Sequence, residues 1–256
     1  MTVLQNGDFN GGTWRKCFDG GSYPELDLPN GWTAFWDDVR VGENGQQRAR
    51  PESSVIGRVP PYLDPMRIPE GMTYALKMFT FMKPHLMGIY QKVTGLTVGQ
   101  KYRVSAQYHA WCTQGDDGHI SDQATSYGMY GQIGVEQGGW VNQYGYIDPA
   151  RSNHDLFTWG PQEYIFDSFK EISYEFTATS TAVTIALMSC SKWGSKHSDA
   201  YWGDVQLTEV GMVIDPPVPD DDDDEEPIYD DGLVLIAEAL SDIAVQLGRI
   251  ADKLGE

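Results

Sequence analysis

The sequence predicts an all-β sandwich over residues 1–213, an acidic linker over 214–231 and one C-terminal amphipathic helix over 232–256. Three observations predict it. From Lys101 to Ala110, Tyr102, Val104, Ala106 and Tyr108 alternate with Arg103, Ser105, Gln107 and His109, the two-residue period of a half-buried strand. No convincing helical pattern interrupts the strands before residue 213, so the sheets should be antiparallel, in a sandwich or barrel. After that point the composition turns to proline and acid, then to a seven-residue apolar repeat.

The elements follow in order. Val3 and Leu4 lead into a turn at Asn6-Gly7-Asp8. Gly31–Val41 is aromatic and partly alternating. Thr73–Met82 reads as a strand closed by Pro84, and Gly88–Val93 as a short one. Gly95–Gln100 turns into the Lys101 strand. Gln132–Glu136, Lys170–Thr177, Val183–Ser189 and Tyr201–Val210 complete the set. Two connections, Thr113–Gly131 and Gly138–Phe169, exceed ordinary turn length, and such loops are usually functional or disordered. The second carries Trp140, Tyr144, Tyr146, Phe157, Trp159 and Tyr164, an aromatic content that argues against disorder.

Pro216, Pro217 and Pro219 extend the linker, and the self-repelling acids Asp220–Asp224, Glu225 and Glu226 extend it further. In the tail, Leu233, Ile236, Leu240, Ile243, Leu247, Ile250 and Leu254 repeat at alternating steps of 3 and 4, the seam of a coiled coil. Leu at each a position with Ile at each d position favours trimers or tetramers over dimers. A lone helix of this length is marginal in water, so it needs partners, either copies of itself or another protein.

The net charge of −19 is concentrated in the linker, which alone holds ten acids between Asp215 and Asp231. The rest is mildly acidic and shows no basic face, which excludes a nucleic-acid partner. Cys17, Cys112 and Cys190 are odd in number and widely spaced, so neither a disulfide framework nor a zinc knuckle is implied. The N-terminus has no signal-peptide pattern, and no apolar run reaches the roughly 18 residues of a membrane helix, so no membrane partner is expected.

A series of short motifs carries a resemblance. Leu4-Gln5-Asn6-Gly7-Asp8-Phe9 is followed by Asn30-Gly31-Trp32, Tyr74-Ala75-Leu76-Lys77 and Ile89-Tyr90-Gln91-Lys92-Val93. Then come Leu96–Ser105, Ile172–Thr177 and Trp202-Gly203-Asp204-Val205-Gln206-Leu207. In this order they resemble carbohydrate-binding modules of the family 4, 9 and 22 type, with a galactose-binding-like jelly roll, over residues 3–210. The resemblance implies that the first and last strands lie together, often around a structural calcium. Asp8, Asn10 and Asp204 are its candidate ligands here, although Asn10 stands where that family has Glu. Turn-capping by the same Asx residues is the alternative.

Sugar binding needs flat aromatic faces for the C–H surface of the ring, and amides or carboxylates for its hydroxyls. Trp111, Trp140, Tyr144, Tyr146 and Trp159 are the candidate rings, with Trp193 nearby; Asp116, Asp117, Asn142 and Gln143 are candidate polar partners. Packing of these rings onto the sandwich is the alternative. His109 and Cys112 should face opposite sides of their strand, which disfavours chelation, and Asp116–Asp122 misses the spacing of a calcium loop. No nucleophile elbow, zinc-protease, P-loop or dinucleotide motif occurs, and no carboxylate pair is marked for glycoside hydrolysis. The expectation is a non-enzymatic, multivalent binder of a glycan or cell-surface polysaccharide. A structural decoration or fibre subunit of a phage virion is the alternative.

Overall fold

The computed structural model describes residues 4–10, 14–16, 26–43, 45–57, 68–69, 71–115, 120–122, 128–141 and 153–211. The predicted linker and helix, with all seven heptad positions, lie outside these residues, as do Tyr144, Tyr146, Asn142, Gln143, Asp116, Asp117 and Cys17. Among the described residues, no helix is long and apolar enough to cross a membrane.

Among the described residues, twelve strands form: β1 (Trp14–Lys16), β2 (Asp27–Pro29), β3 (Thr33–Trp36), β4 (Glu52–Gly57), β5 (Tyr74–Thr80), β6 (His85–Thr94), β7 (Lys101–Thr113), β8 (Met129–Glu136), β9 (Thr158–Trp159), β10 (Lys170–Thr177), β11 (Ala182–Ser191) and β12 (His197–Glu209). Sheet I has the order β10-β7-β12-β5-β4, and sheet II the order β3-β6-β11-β8-β9. β1 and β2 form a separate two-stranded ribbon. Each of these strand pairs is antiparallel. The chain crosses between sheets from β3 to β4, at each step from β5 to β8, and at each step from β9 to β12, the winding of a jelly roll.

Alternation sets the inner faces. Tyr102, Val104, Ala106, Tyr108, Ala110 and Cys112 of β7 point into the core with Ala200 and Trp202 of β12. They meet Met87, Ile89 and Val93 of β6, Val183, Ile185 and Leu187 of β11, and Ile133 and Val135 of β8. The rings of Tyr108 and Trp202, cross-strand partners, lie 4.4 Å apart. Observed β10 has the predicted bounds. β6, β7, β8 and β11 run longer than predicted, and Gly31–Val41 contains only the four-residue β3.

The opening motif is clamped to the sandwich. The Val205 N–H donates to the Gly7 carbonyl at 2.7 Å, and a Cβ on Gly7 would meet that neighbour's oxygen at 2.1 Å, so only glycine fits. The Trp32 indole donates to the Asn6 carbonyl at 3.2 Å. The Gln91 side chain accepts from the Gln5 N–H at 2.7 Å and donates to the Gln5 carbonyl at 2.9 Å. β12 is bulged between Gly203 and Gln206, with Asp204 at a φ of 46°, and this break frees the Val205 N–H for Gly7.

Candidate glycan-binding face

The outer face of sheet II carries a second apolar layer. Tyr90 of β6, Tyr130 of β8, and Ala186, Met188 and Cys190 of β11 are out of phase with the core residues of the same strands. They therefore emerge on the other side of the sheet. The segment after β8 and the one around β9 lay further rings on them. The result is a continuous ladder: Phe35–Tyr90 (6.4 Å), Tyr90–Trp140 (6.4 Å), Trp140–Phe157 (6.4 Å, edge-on), Phe157–Trp159 (5.3 Å) and Trp159–His154 (4.8 Å). Phe157 is buried, whereas Trp140 and Trp159 are half-buried, so those two rings keep surface for a ligand.

Both tryptophans are held by their surroundings. Glu136, at the end of β8, accepts from the Gly138 N–H at 2.7 Å and the Trp140 N–H at 2.6 Å. Gly139 turns with a φ of 65°, and the Trp140 carbonyl accepts from the Thr184 hydroxyl. Trp159 pairs with Gly134 across β8 and β9, and its indole N–H donates to the His154 carbonyl at 3.1 Å. Pre-set rings of this kind spare a ligand the ordering cost of mobile side chains.

A polar end completes the face. Tyr164, 42% exposed, stands 5.6 Å from Tyr130. Arg48 pairs with the buried Asp37 at 2.6 Å, yet its Nε has no hydrogen-bond partner, and neither has Nε2 of His154. Arg48 acts electrostatically on Tyr130, Cys190 and His154. Burial lowers the His154 pKa and raises those of Tyr130 and Cys190, so the imidazole stays neutral and the phenol and thiol stay protonated at neutral pH. The face thus offers stacking surface at one end and hydrogen-bonding groups at the other, which is what a polyhydroxylated ring requires.

Of the five predicted rings, the structure brings Trp140 and Trp159 together. Trp111 is not with them: β7 continues to Thr113, and position 111 is out of phase with the inward residues, so the ring lies on the outer face of sheet I. It is 8% exposed and stacks on His197 at 5.1 Å. Trp193 packs over Gly128. Tyr90, Tyr130, Arg48 and His154 join the face without having been predicted. A tyrosine out of phase with Ile89 and Val93 was the available signal for Tyr90.

The calcium candidates are only partly assembled. Asp8 and Asp204 line one open pocket with Gly7 and Val205, but it is the opening turn, not the first strand, that lies against the last strand: β1 pairs with β2 and β12 with β5 and β7. Asn10, however, directs both its backbone N–H and its side-chain amide nitrogen to Asp8, at 3.1 Å each, and Asp204 accepts from Gln206 at 3.0 Å. Calcium takes six to eight oxygens. Two carboxylates engaged in local Asx contacts do not fit that demand, and no cluster of three metal-ligating acids, histidines or cysteines occurs among the described residues. His109 and Cys112 do face opposite sides of β7.

No protein-family model and no curated protein matches this sequence. Among solved structures, similar ones are carbohydrate-binding modules and related proteins. A family 61 module in complex with β-1,4-galactotriose is 14% identical, with a TM-score of 0.44, covering 82% of this chain and 99% of its own. A putative sugar-binding protein from Bacteroides thetaiotaomicron is 9% identical, with a TM-score of 0.43, covering 82% and 100%. A family 4 carbohydrate-binding module is 12% identical, with a TM-score of 0.39, covering 81% and 100%.

Proposed function

We propose that this protein is a non-enzymatic glycan-binding protein whose sugar site is the outer face of sheet II. The observation that supports it is the pair of half-buried indoles, Trp140 and Trp159, fixed on either side of Phe157 and continued by Tyr130, Tyr164, Arg48 and His154. The C–H surface of a sugar stacks on the rings, and its hydroxyls reach the unpartnered Arg48 and His154 nitrogens. The heptad tail gathers several sandwiches, and the acidic linker lets them spread over a polysaccharide, so weak single sites gain avidity. A broad glycan array with the intact protein tests this. Selective binding, lost in Trp140→Ala and in Trp159→Ala, is the expected result; no binding to any glycan would remove the proposal.

The tether and tail also suit a second role, as decoration or fibre subunit of a virion surface, with the sandwich as scaffold and the helix as anchor. Binding of the isolated tail to a particle protein, with no glycan recognised by the sandwich, would favour that role.

A further inference from the structure

Across the sandwich from the aromatic ladder, the outer face of sheet I holds three buried polar atoms without a hydrogen-bond partner: Nε1 of Trp111, Oδ1 of Asp199 and Nε2 of His109. Trp111 and Asp199 are direct cross-strand partners of β7 and β12, and His109 sits two residues before Trp111 on the same face. All three lie within one patch about 7 Å along the strand. Buried polar groups are rarely left unmet, and three together call for an account.

The surrounding contacts fix these atoms in place. Asp199 spends its other oxygen, Oδ2, on the Lys77 ammonium at 2.8 Å and the Tyr201 hydroxyl at 3.2 Å. The His109 ring lies flat on Tyr201 at 4.4 Å, with Phe169 against it edge-on at 4.5 Å. A strip of rings leads from the surface to this patch: Phe81, half exposed, meets His197 at 5.4 Å, and His197 stacks on Trp111. Lys77 already balances the charge of Asp199, so a charged ligand gains nothing here.

An unmet N–H donor and an unmet carboxylate acceptor on directly paired residues are together the complement of one hydroxyl, which donates and accepts at once. We propose that this patch is a second ligand site, for a neutral sugar ring that lies on the Phe81–His197 strip and sets one hydroxyl between Trp111 Nε1 and Asp199 Oδ1. The site is independent of the sheet II face, and with it each sandwich has two binding faces pointing in opposite directions.

The test follows the indole N–H signals of the ¹⁵N-labelled full chain during titration with galactose, glucose and xylose, Trp111 being assigned by its loss in Trp111→Phe. The expected result is a saturable shift of the Trp111 signal with at least one sugar. That shift persists in the Trp140→Ala/Trp159→Ala double variant. On that double-variant background, Trp111→Phe, which keeps a ring but no N–H, weakens the affinity measured by calorimetry about tenfold. If the Trp140 and Trp159 signals move while Trp111 stays fixed to saturation, buried water satisfies the patch and the second site is overturned. If Trp111 alone moves, the second site stands whatever the glycan array shows for the sheet II face. If Trp111 stays silent with all three sugars, the second site is overturned, and the sheet II face is decided separately by the glycan array.

Discussion

The Trp159 indole lies against the α-carbon of Gly134, so closely that a Cβ there would sit 2.5 Å from the ring. The two residues are cross-strand partners, and glycine is what allows the indole to lie down on β8 rather than stand away from it. The position of one half of the aromatic face is therefore written at a residue with no side chain.

Gly134→Ala should displace the Trp159 ring, because the adjoining contacts leave no room for a methyl group. Over-packing of this kind costs about 1–3 kcal/mol. The expected result is a lower melting temperature, retained β-sheet circular dichroism, and glycan affinity reduced as far as in Trp159→Ala. Unchanged affinity with a displaced ring would show that Trp159 does not contribute to binding.

Acid should destabilise the sandwich. His85 is fully buried between Thr80 Oγ1 at 3.0 Å and Ser189 Oγ at 3.1 Å. Burial, reinforced by the charge of Arg48, holds its pKa near 3. Burial likewise holds His109 near 4. Both lie below the ordinary value of 6.5, so the unfolded chain takes up protons first as pH falls. Their contribution is complete above about pH 6.5 and is lost between 6.5 and about 3. Thermal melts should be flat with respect to these groups above pH 7 and fall steeply below 6. In His85→Gln that acid slope should be shallower; an identical slope would remove His85 from the account.

The strands whose alternation sequence carries plainly were legible: β10 has its predicted bounds, and β7 was visible from Lys101 onward because each inward apolar residue is followed by a polar one. β4, with the sequence Glu-Ser-Ser-Val-Ile-Gly, has no such alternation and was missed; it holds its place through pairing with β5. The candidate face was half legible. Trp140 and Trp159 are legible as flat rings in a long connection, the kind of surface a sugar stacks on, but their meeting depends on the β8–β9 pairing, which two residues of strand cannot announce. Trp111 went astray because parity tells which side of a strand a residue faces, not which sheet the strand joins. Arg48 and His154 carry no local pattern at all; their role follows from unmet hydrogen bonds, which only coordinates reveal.

The Lys77–Asp199 pair should be costly to break from one side. The Asp199 side chain is fully buried, and that of Lys77 is 16% exposed. Lys77→Met leaves the carboxylate without its cation, for a loss of about 3–5 kcal/mol in denaturant unfolding. Adding Asp199→Asn removes the stranded charge and should recover part of that loss. If the single variant unfolds at the wild-type denaturant concentration, the pair is not a charged one.

Calcium should have little effect. Asn10 directs its amide nitrogen at Asp8, and rotating it to present oxygen would sacrifice that contact. Melts in added calcium and in chelator should therefore coincide. A calcium-dependent rise of several degrees, lost in Asp204→Ala, would show that Asp8, Asn10 and Asp204 rearrange into a binding site.

Deletion of residues 232–256 should separate affinity from avidity. On a helix the seven apolar positions from Leu233 to Leu254 would fall in one stripe, and a helix of that length is marginal in water without partners. In light scattering, the intact protein should have three or four times the mass of its chain, and the truncated protein the mass of one. Binding of a free oligosaccharide should be the same in both, because the sandwich is untouched. Retention on a dense glycan surface should fall by about a hundredfold, the loss expected when linked weak sites become single ones. An unchanged subunit number would rule out the coiled-coil assembly. A changed number with unchanged retention would mean that the tail gathers the sandwiches for some purpose other than binding glycans.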